Sequence, residues 1–263
     1  MKLSYLPERG SKPRSTGITM IIDKGLSVGQ VHELISVAGH LIDFAKLGFG
    51  TSVICDHSKE KVKIYRDNGI KVFLGGTLFE ASAVRDMVKE YKNFVQELGV
   101  DAVEISDGSI IMDHAKKCEY INDFSKNYTV LSEVGAKEDD IFVKPDEWSD
   151  HMQKELDAGS TYVIAEARET GTVGIYKQDG TADISLINDI LKKIPSKQII
   201  WETPLKQQQA WFIKLIGAKA NLGNILPDDV IPLETIRLGL RSDTFFEFLP
   251  EECQKYKLKK KKK

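Results

Sequence analysis

Short apolar runs alternate with longer amphipathic segments along nearly all of this 263-residue chain. A parallel sheet produces that rhythm, because each buried strand needs a crossover segment before the next can lie beside it. Eight strand candidates follow in order, at 18–23, 41–46, 71–74, 102–106, 129–133, 162–166, 198–202 and 218–222. The intervening stretches carry a helical period. Val84, Met87, Val88, Tyr91, Val95 and Leu98 form one apolar stripe; Ile184, Ile187, Leu191 and Ile194 form another, and Trp211, Phe212, Leu215 and Ile216 a third. Ser27 stands where an N-cap belongs, ahead of Val28, Val31, Leu34 and Ile35. Eight βα units predict a closed (β/α)8 TIM barrel, one catalytic domain over residues 1–254, followed by a disordered polylysine tail at 255–263. An open doubly wound sheet is the alternative. A dinucleotide-binding sheet of that kind carries a glycine fingerprint after its first strand, and Asp23-Lys24-Gly25-Leu26 is no GxGxxG.

Composition removes several classes. The chain is 41% hydrophobic, enough for a large core, yet no apolar run is long enough to span a bilayer. The first 14 residues are polar and hold no signal-peptide core. Cys55, Cys118 and Cys253 are far apart and odd in number, which predicts a reduced, cytoplasmic protein without structural zinc or a disulfide frame. The formal charge of −2 conceals an asymmetry, since KYKLKKKKK at the end holds seven of the 37 basic residues and leaves the body acidic. A basic tail on an acidic body, with no aromatic interleaving beyond Tyr256, argues against nucleic acid as the partner. No membrane partner is expected, and a homo-oligomer stays open.

Six of the eight candidate strands close on a charge. Strand one ends in Asp23 and strand two in Lys46; strand four carries Glu104 and Ser106, strand five Glu133, strand six Glu166 with Arg168, and strand seven Glu202. Side chains alternate across a strand, so Glu104 shares the face of Ala102, and Glu166 that of Ile164 and Arg168. If that face is the inner one, the charges converge on the carboxyl-end mouth, where barrel enzymes keep their active sites. Buried charges are costly unless paired or metal-bound. Two arrangements meet that cost: a salt-bridged rim that stiffens the barrel, or a pocket whose carboxylates hold a hard cation while Lys and Arg hold an anion. Oxygen-only ligation favours Mg²⁺ over zinc. The five histidines are scattered over predicted helices and helix ends, as ordinary surface residues are.

Two glycine-rich loops follow strands, Gly75-Gly76-Thr77 and Thr170-Gly171-Thr172-Val173-Gly174. Each is a candidate phosphate cradle through its backbone N–H groups, or simply a turn. Arg168 beside Gly171 and Gly174 strengthens the cradle reading and leaves both open. Arg237 and Arg241 are further candidates for phosphate, or for a helix end.

Specific strings then become informative. Lys12-Pro13-Arg14-Ser15-Thr16-Gly17 leads into the first strand, Asp43 to Ser52 reads DFAKLGFGTS, and Gly75 to Glu80 reads GGTLFE. Val103 to Gly108 (VEISDG), Leu131 to Gly135 (LSEVG) with Lys137, Glu166-Ala167-Arg168-Glu169, and Leu233 to Phe245 (LETIRLGLRSDTF) complete the set. In this order, over about residues 12–248, the chain resembles the phosphosulfolactate synthase family. The resemblance implies a (β/α)8 barrel and a carbon–sulfur lyase that uses Mg²⁺ to add sulfite to C3 of phosphoenolpyruvate, giving (2R)-phospho-3-sulfolactate through an enolate. That reaction opens coenzyme M synthesis in methanogens and is linked to sulfolactate formation in some bacteria; plant relatives are associated with heat stress.

On this reading Glu104, Glu133, Glu166 and Glu202 are the candidate metal ligands, and Arg14, Arg168, Gly171, Gly174 and Arg241 the candidate contacts to substrate. Lys137 matches the lysine proposed as proton donor in the family, which ranks it above Lys46 as the general acid. The runner-up is a barrel that has lost activity and serves as a stress-associated scaffold or binding protein. A third reading is another enolate-forming barrel acting on a 2-oxo or hydroxy acid.

Overall fold

The computed structural model describes residues 3–135 and 145–258. Eight parallel strands close into a barrel in chain order: β1 (Thr19–Asp23), β2 (Phe44–Leu47), β3 (Lys71–Leu74), β4 (Ala102–Ile105), β5 (Thr129–Val134), β6 (Tyr162–Ala165), β7 (Ile199–Glu202) and β8 (Leu222–Ile225). Around them run α1 (Val28–Ala38), α2 (Thr51–Ile54), α3 (Ser58–Asp67), α4 (Gly76–Ala83), α5 (Val88–Leu98), α6 (His114–Ser125), α7 (Pro145–Asp157), α8 (Ile184–Lys193), α9 (Lys206–Ile216) and α10 (Val230–Arg237). The fold is the expected (β/α)8 barrel in a single domain. No helix among the described residues is long and apolar enough to cross a membrane.

Two apolar layers hold it. One lies between sheet and helices, built from outward strand residues such as Ile21, Ala45 and Val103 against helix residues such as Val31, Tyr65 and Ile187. The other fills the barrel interior, where Met20, Phe44, Phe73, Ala102, Leu131, Ile164 and Ile200 meet on the axis. This plug closes the lower half, so any polar inner residue must lie above it.

Local chemistry sets the element ends. Ser27 caps α1 in a capping box: its Oγ accepts from Gln30 N at 3.2 Å, and Gln30 Oε1 accepts from Ser27 N at 2.9 Å. The stripe expected from Val84 through Leu98 is split. Helix α4 ends at Ala83, Asp86 sits in the left-handed region (φ 56°), and Val84 and Met87 are exposed. Leu215 in α9 and Ile184 at the start of α8 are exposed too, so their stripes are narrower than expected. Strand β2 begins at Phe44, because Leu41 belongs to a 3₁₀ turn (Gly39–Leu41).

The last strand is the largest correction. It runs Leu222–Ile225 and not 218–222, because Ala218 and Ala220 lie below the barrel, with their carbonyls accepting from Arg237 Nη1 at 2.8 and 2.6 Å. Gly223 and Asn224 carry poor strand propensity, which hid it. At the C-terminus a 3₁₀ helix spans Glu251–Tyr256, so the boundary expected at 255 falls inside an ordered turn; residues 259–263 lie outside the described ones. The three cysteines are free thiols.

Behind the mouth stands a buried strut. Lys117 on α6 donates to Glu133 O (2.6 Å) and Asp107 Oδ1 (2.7 Å) and pairs with Glu155 of α7 at 2.8 Å. Burial acts to lower its pKa, but Glu155 and Asp107 outweigh it and hold the lysine charged. Lys117→Met leaves Glu155 buried without its main cation and should destabilise the fold by about 3–5 kcal/mol. Adding Glu155→Leu should recover most of the loss. Urea unfolding of the single and double variants checks this, and a single variant within about 0.5 kcal/mol of the parent would show the pair to be energetically idle.

Candidate active site

Above the plug, the inner position of five strands switches from apolar to charged. Two residues beyond Phe44 comes Lys46, beyond Ala102 Glu104, beyond Leu131 Glu133, beyond Ile164 Glu166, and beyond Ile200 Glu202. The period of two keeps each on the face of its apolar predecessor, so all five crowd the carboxyl-end mouth. All are buried: the four glutamates are 0–2% exposed and Lys46 8%.

Lys46 Nζ lies 3.0 Å from Glu104, 3.2 Å from Glu202 and 3.4 Å from Glu133. Burial alone would lower its pKa; the surrounding carboxylates, Glu104 and Glu202 foremost, outweigh that and raise it well above the usual lysine range. The same carboxylates favour the charged form of Lys46. The Glu202 pKa is raised as well, which for a carboxyl favours the neutral form. Burial raises its pKa, Lys46 opposes, and Glu133 adds to the rise.

Backbone donors fix the carboxylates. Gly76 N donates to Glu104 Oε1 (2.8 Å), Ala167 N to Glu202 Oε2 (3.1 Å) and Arg168 N to Glu166 Oε1 (2.6 Å). At Gly76 a Cβ would stand 2.1 Å from Ser106 Oγ and 2.5 Å from Glu104 Oε1, so only glycine lets Glu104 reach the start of α4. Glu133, Glu166 and Glu202 each offer a carboxylate oxygen, and the three lie within 4.8 Å of one another. An all-oxygen set of this kind suits a hard cation. The cavity above holds about 360 Å³ and is lined by Lys46, the four glutamates, Arg168 and Asn224 among others. A larger groove of about 990 Å³ lies outside the barrel between α3 and α5. Its Arg66 and Asp101 already pair at 3.0 Å, and it meets the amino end of β3 at Lys71 rather than the carboxyl-end mouth.

Other expected site residues lie elsewhere. Asp23 closes β1 on the outer face, one residue past the inward Ile22, and pairs with Lys61 at 2.8 Å. Arg14 sits at the amino end of the barrel, 2.9 Å from Asp43, which also accepts from Thr19 N; it cannot reach the mouth. Arg237 is fully buried at that end, donating to the carbonyls of Ile18, Ala218 and Ala220, and burial pushes its pKa down to about 9. Arg241 pairs with Asp243 at 3.2 Å and does not line the cavity.

The first glycine stretch opens α4, and the second is a turn. The N–H of Gly76 goes to Glu104, and that of Gly171 to Arg168 O at 2.9 Å. Gly171 and Gly174 both have positive φ, and a Cβ on Gly174 would meet Glu166 O at 2.0 Å. Both glycines thus stand where close packing and a left-handed backbone require them. Arg168 does line the mouth and is exposed. Lys137 lies outside the described residues. Sequence reasoning missed Glu80, which accepts from Ser106 Oγ at 2.9 Å, and Asn224; neither stands at a predicted strand end. Of the histidines, His114 stacks on His151 at 3.9 Å and meets Glu155 at 3.2 Å, away from the mouth.

The family model described as (2R)-phospho-3-sulfolactate synthase (ComA) matches residues 7–243. The phosphosulfolactate synthase of Bacillus subtilis (strain 168) is 40% identical over 244 residues, covering 92% of this chain and 97% of that one. The phosphosulfolactate synthase of Methanothermobacter thermautotrophicus is 41% identical over 244 residues, covering 90% and 95%. Among solved structures, a 3-hexulose-6-phosphate synthase superposes with a TM-score of 0.54 at 13% identity, over 83% of this chain and 99% of that one, a likeness of fold alone. With a family match over most of its length and relatives of that identity, the chain belongs to the phosphosulfolactate synthase family and is an enzyme of it.

Proposed function

We propose that this enzyme adds sulfite to C3 of phosphoenolpyruvate and so forms (2R)-phospho-3-sulfolactate. The observation that carries the reading is the ring of one lysine and four glutamates at the strand ends, in a chain of this family. Sulfite is already nucleophilic. As its sulfur bonds to C3, the electron pair of the C2–C3 double bond moves onto C2 and the carboxylate, and a proton delivered to C2 completes the product. The protein's task is to hold the substrate, to stabilise that charge and to place the proton.

Among the described residues Lys46 is the lysine that stands among the four buried carboxylates, and a bound cation would further offset the cost of burying them. Glu133, Glu166 and Glu202 are the residues that would hold Mg²⁺, with Glu104 beside them on Lys46. Mg²⁺, when bound, supplies electrostatic stabilisation of the developing enolate charge. Lys46 keeps these carboxylates in place and contributes a fixed positive charge. Arg168, exposed on the mouth's edge, is suited to the phosphate. Lys137, two residues beyond Gly135 after β5, is the proton donor in this proposal. An inactive scaffold would also keep the Lys46 ion pairs, but it would gain no thermal stability from phosphoenolpyruvate with Mg²⁺.

Because burial leaves Glu202 holding its proton at a higher pH than an ordinary glutamate, a cation must displace that proton to bind. Apparent Mg²⁺ affinity should therefore rise with pH through the acidic range and level off once Glu202 is ionised. Calorimetry in two buffers of different ionisation heat reads the released proton, and pH-independent binding without release would remove Glu202 from the ligand set. Arg168→Ala should raise the KM for phosphoenolpyruvate roughly ten- to a hundredfold with an unchanged melting temperature; the reverse pattern would make Arg168 a structural rim residue. Lys137→Ala should lower turnover by about 10²–10⁴-fold with little effect on substrate binding, and turnover near the parent's would eliminate it as the acid.

A further inference from the structure

Strand β8 departs from regular alternation at one place. Leu222 and Ile225 both belong to the outer core against the helices, though they are three residues apart. In a regular strand such residues face opposite sides. The register explains it: Thr19 pairs with Leu222 and Ile21 with Ile225, so one residue of β1 stands opposite two of β8. The bulge is Gly223-Asn224. Gly223 occupies the inner side where a Cβ would meet Met20 Cε at 2.4 Å, and Asn224 takes a left-handed conformation, φ 54°. That region is strained for most residues and most tolerable for asparagine and glycine. Bulges next to active sites re-aim side chains. Here the bulge turns onto the inner face a residue that strict alternation would send outward.

Asn224 then lines the same cavity as Lys46, Glu133 and Glu202 while only 5% exposed, and its Oδ1 is sealed from solvent with no hydrogen-bond partner. Asn221, three residues earlier and also buried, spends both ends of its amide, accepting from Ile18 N and donating to the carbonyls of Lys197 and Ile199. The contrast matters because buried amides are normally paired. With Oδ1 sealed, Nδ2 is the end that meets the cavity. Beside four carboxylates, a carboxamide supplies an N–H donor without adding charge.

We propose that Asn224 is a substrate-contacting residue whose Nδ2 donates a hydrogen bond to an oxygen of the anionic substrate in the mouth. This rests on the reaction proposed above, with the phosphoenolpyruvate carboxylate as the acceptor. A donor placed there also meets the charge that grows as the carbon–sulfur bond forms.

Two variants test it in the full-length enzyme. Asn224→Gly removes the amide and accommodates the left-handed backbone, so its melting temperature should equal or exceed the parent's. Its kcat/KM for phosphoenolpyruvate should fall roughly ten- to a hundredfold. Asn224→Asp preserves shape, replaces the donor with a carboxylate, and should be weaker still. Mg²⁺ affinity, measured by calorimetry without substrate, should be unchanged in Asn224→Gly. A glycine variant with the parent's kcat/KM overturns the assignment. So does one whose Mg²⁺ affinity collapses, which would make Asn224 a cation ligand, or an aspartate variant as active as the parent. A parent enzyme that neither binds phosphoenolpyruvate nor consumes it with sulfite overturns the proposed reaction, and this donor with it; an active parent with an indifferent glycine variant sinks the donor alone.

Discussion

In a closed barrel every second strand residue points at the axis, and the axis has room for few side chains. The remaining features of this molecule follow from how the chain fills that space. Its lower half takes large apolar groups, with Phe44, Phe73, Leu131 and Ile164 meeting over Ala102. Water is excluded below, so the polar residues one step up each strand stand on a dry floor and face one another. There electrostatic interactions are stronger than at the surface, and a lysine among four glutamates becomes an organised site rather than a solvated patch.

That concentration of charge is held from behind. Each of Glu104, Glu166 and Glu202 accepts from a backbone N–H, and Glu133 lies on a strand whose carbonyl is gripped by Lys117. Lys117 is itself neutralised by Glu155 and Asp107. Outside the barrel, Asp23 and Lys61 form a further buried pair, with Tyr65 donating to the same carboxylate at 3.1 Å. Charged groups thus occur on both sides of the sheet at its carboxyl end. Those on the outer side close locally, while the inner ones leave an opening of substrate size.

At the amino end the chemistry is structural. Arg14 with Asp43, Arg9 with Glu234 at 2.8 Å, and the buried Arg237 tie the N-terminal segment and the β1–β8 seam together. Arg14 and Arg237 therefore serve closure of the barrel at the end opposite the mouth. Arg237, fully buried at that end with three of its N–H groups on carbonyls, is out of reach of a ligand at the mouth.

The sequence by itself determined the fold class, seven of the eight strands to within a few residues, and the five inner charged positions, because hydrophobic period and side-chain parity are local properties of the chain. Lys46, Glu104, Glu133, Glu166 and Glu202 could be grouped from their strand ends alone. Asp23, counted with them by its strand end, proved to face the helices, one residue past the inward Ile22. Which end of the barrel an arginine occupies, and whether a glycine turns the chain or cradles an anion, depends on neighbours far away in sequence; Arg14 finds Asp43 and Gly76 finds Glu104 only once the sheet has closed. The bulge at Gly223-Asn224 was decided the same way. Nothing local marks a place where two residues must oppose one; that mismatch exists only when β8 meets β1 and the last strand has to complete the ring.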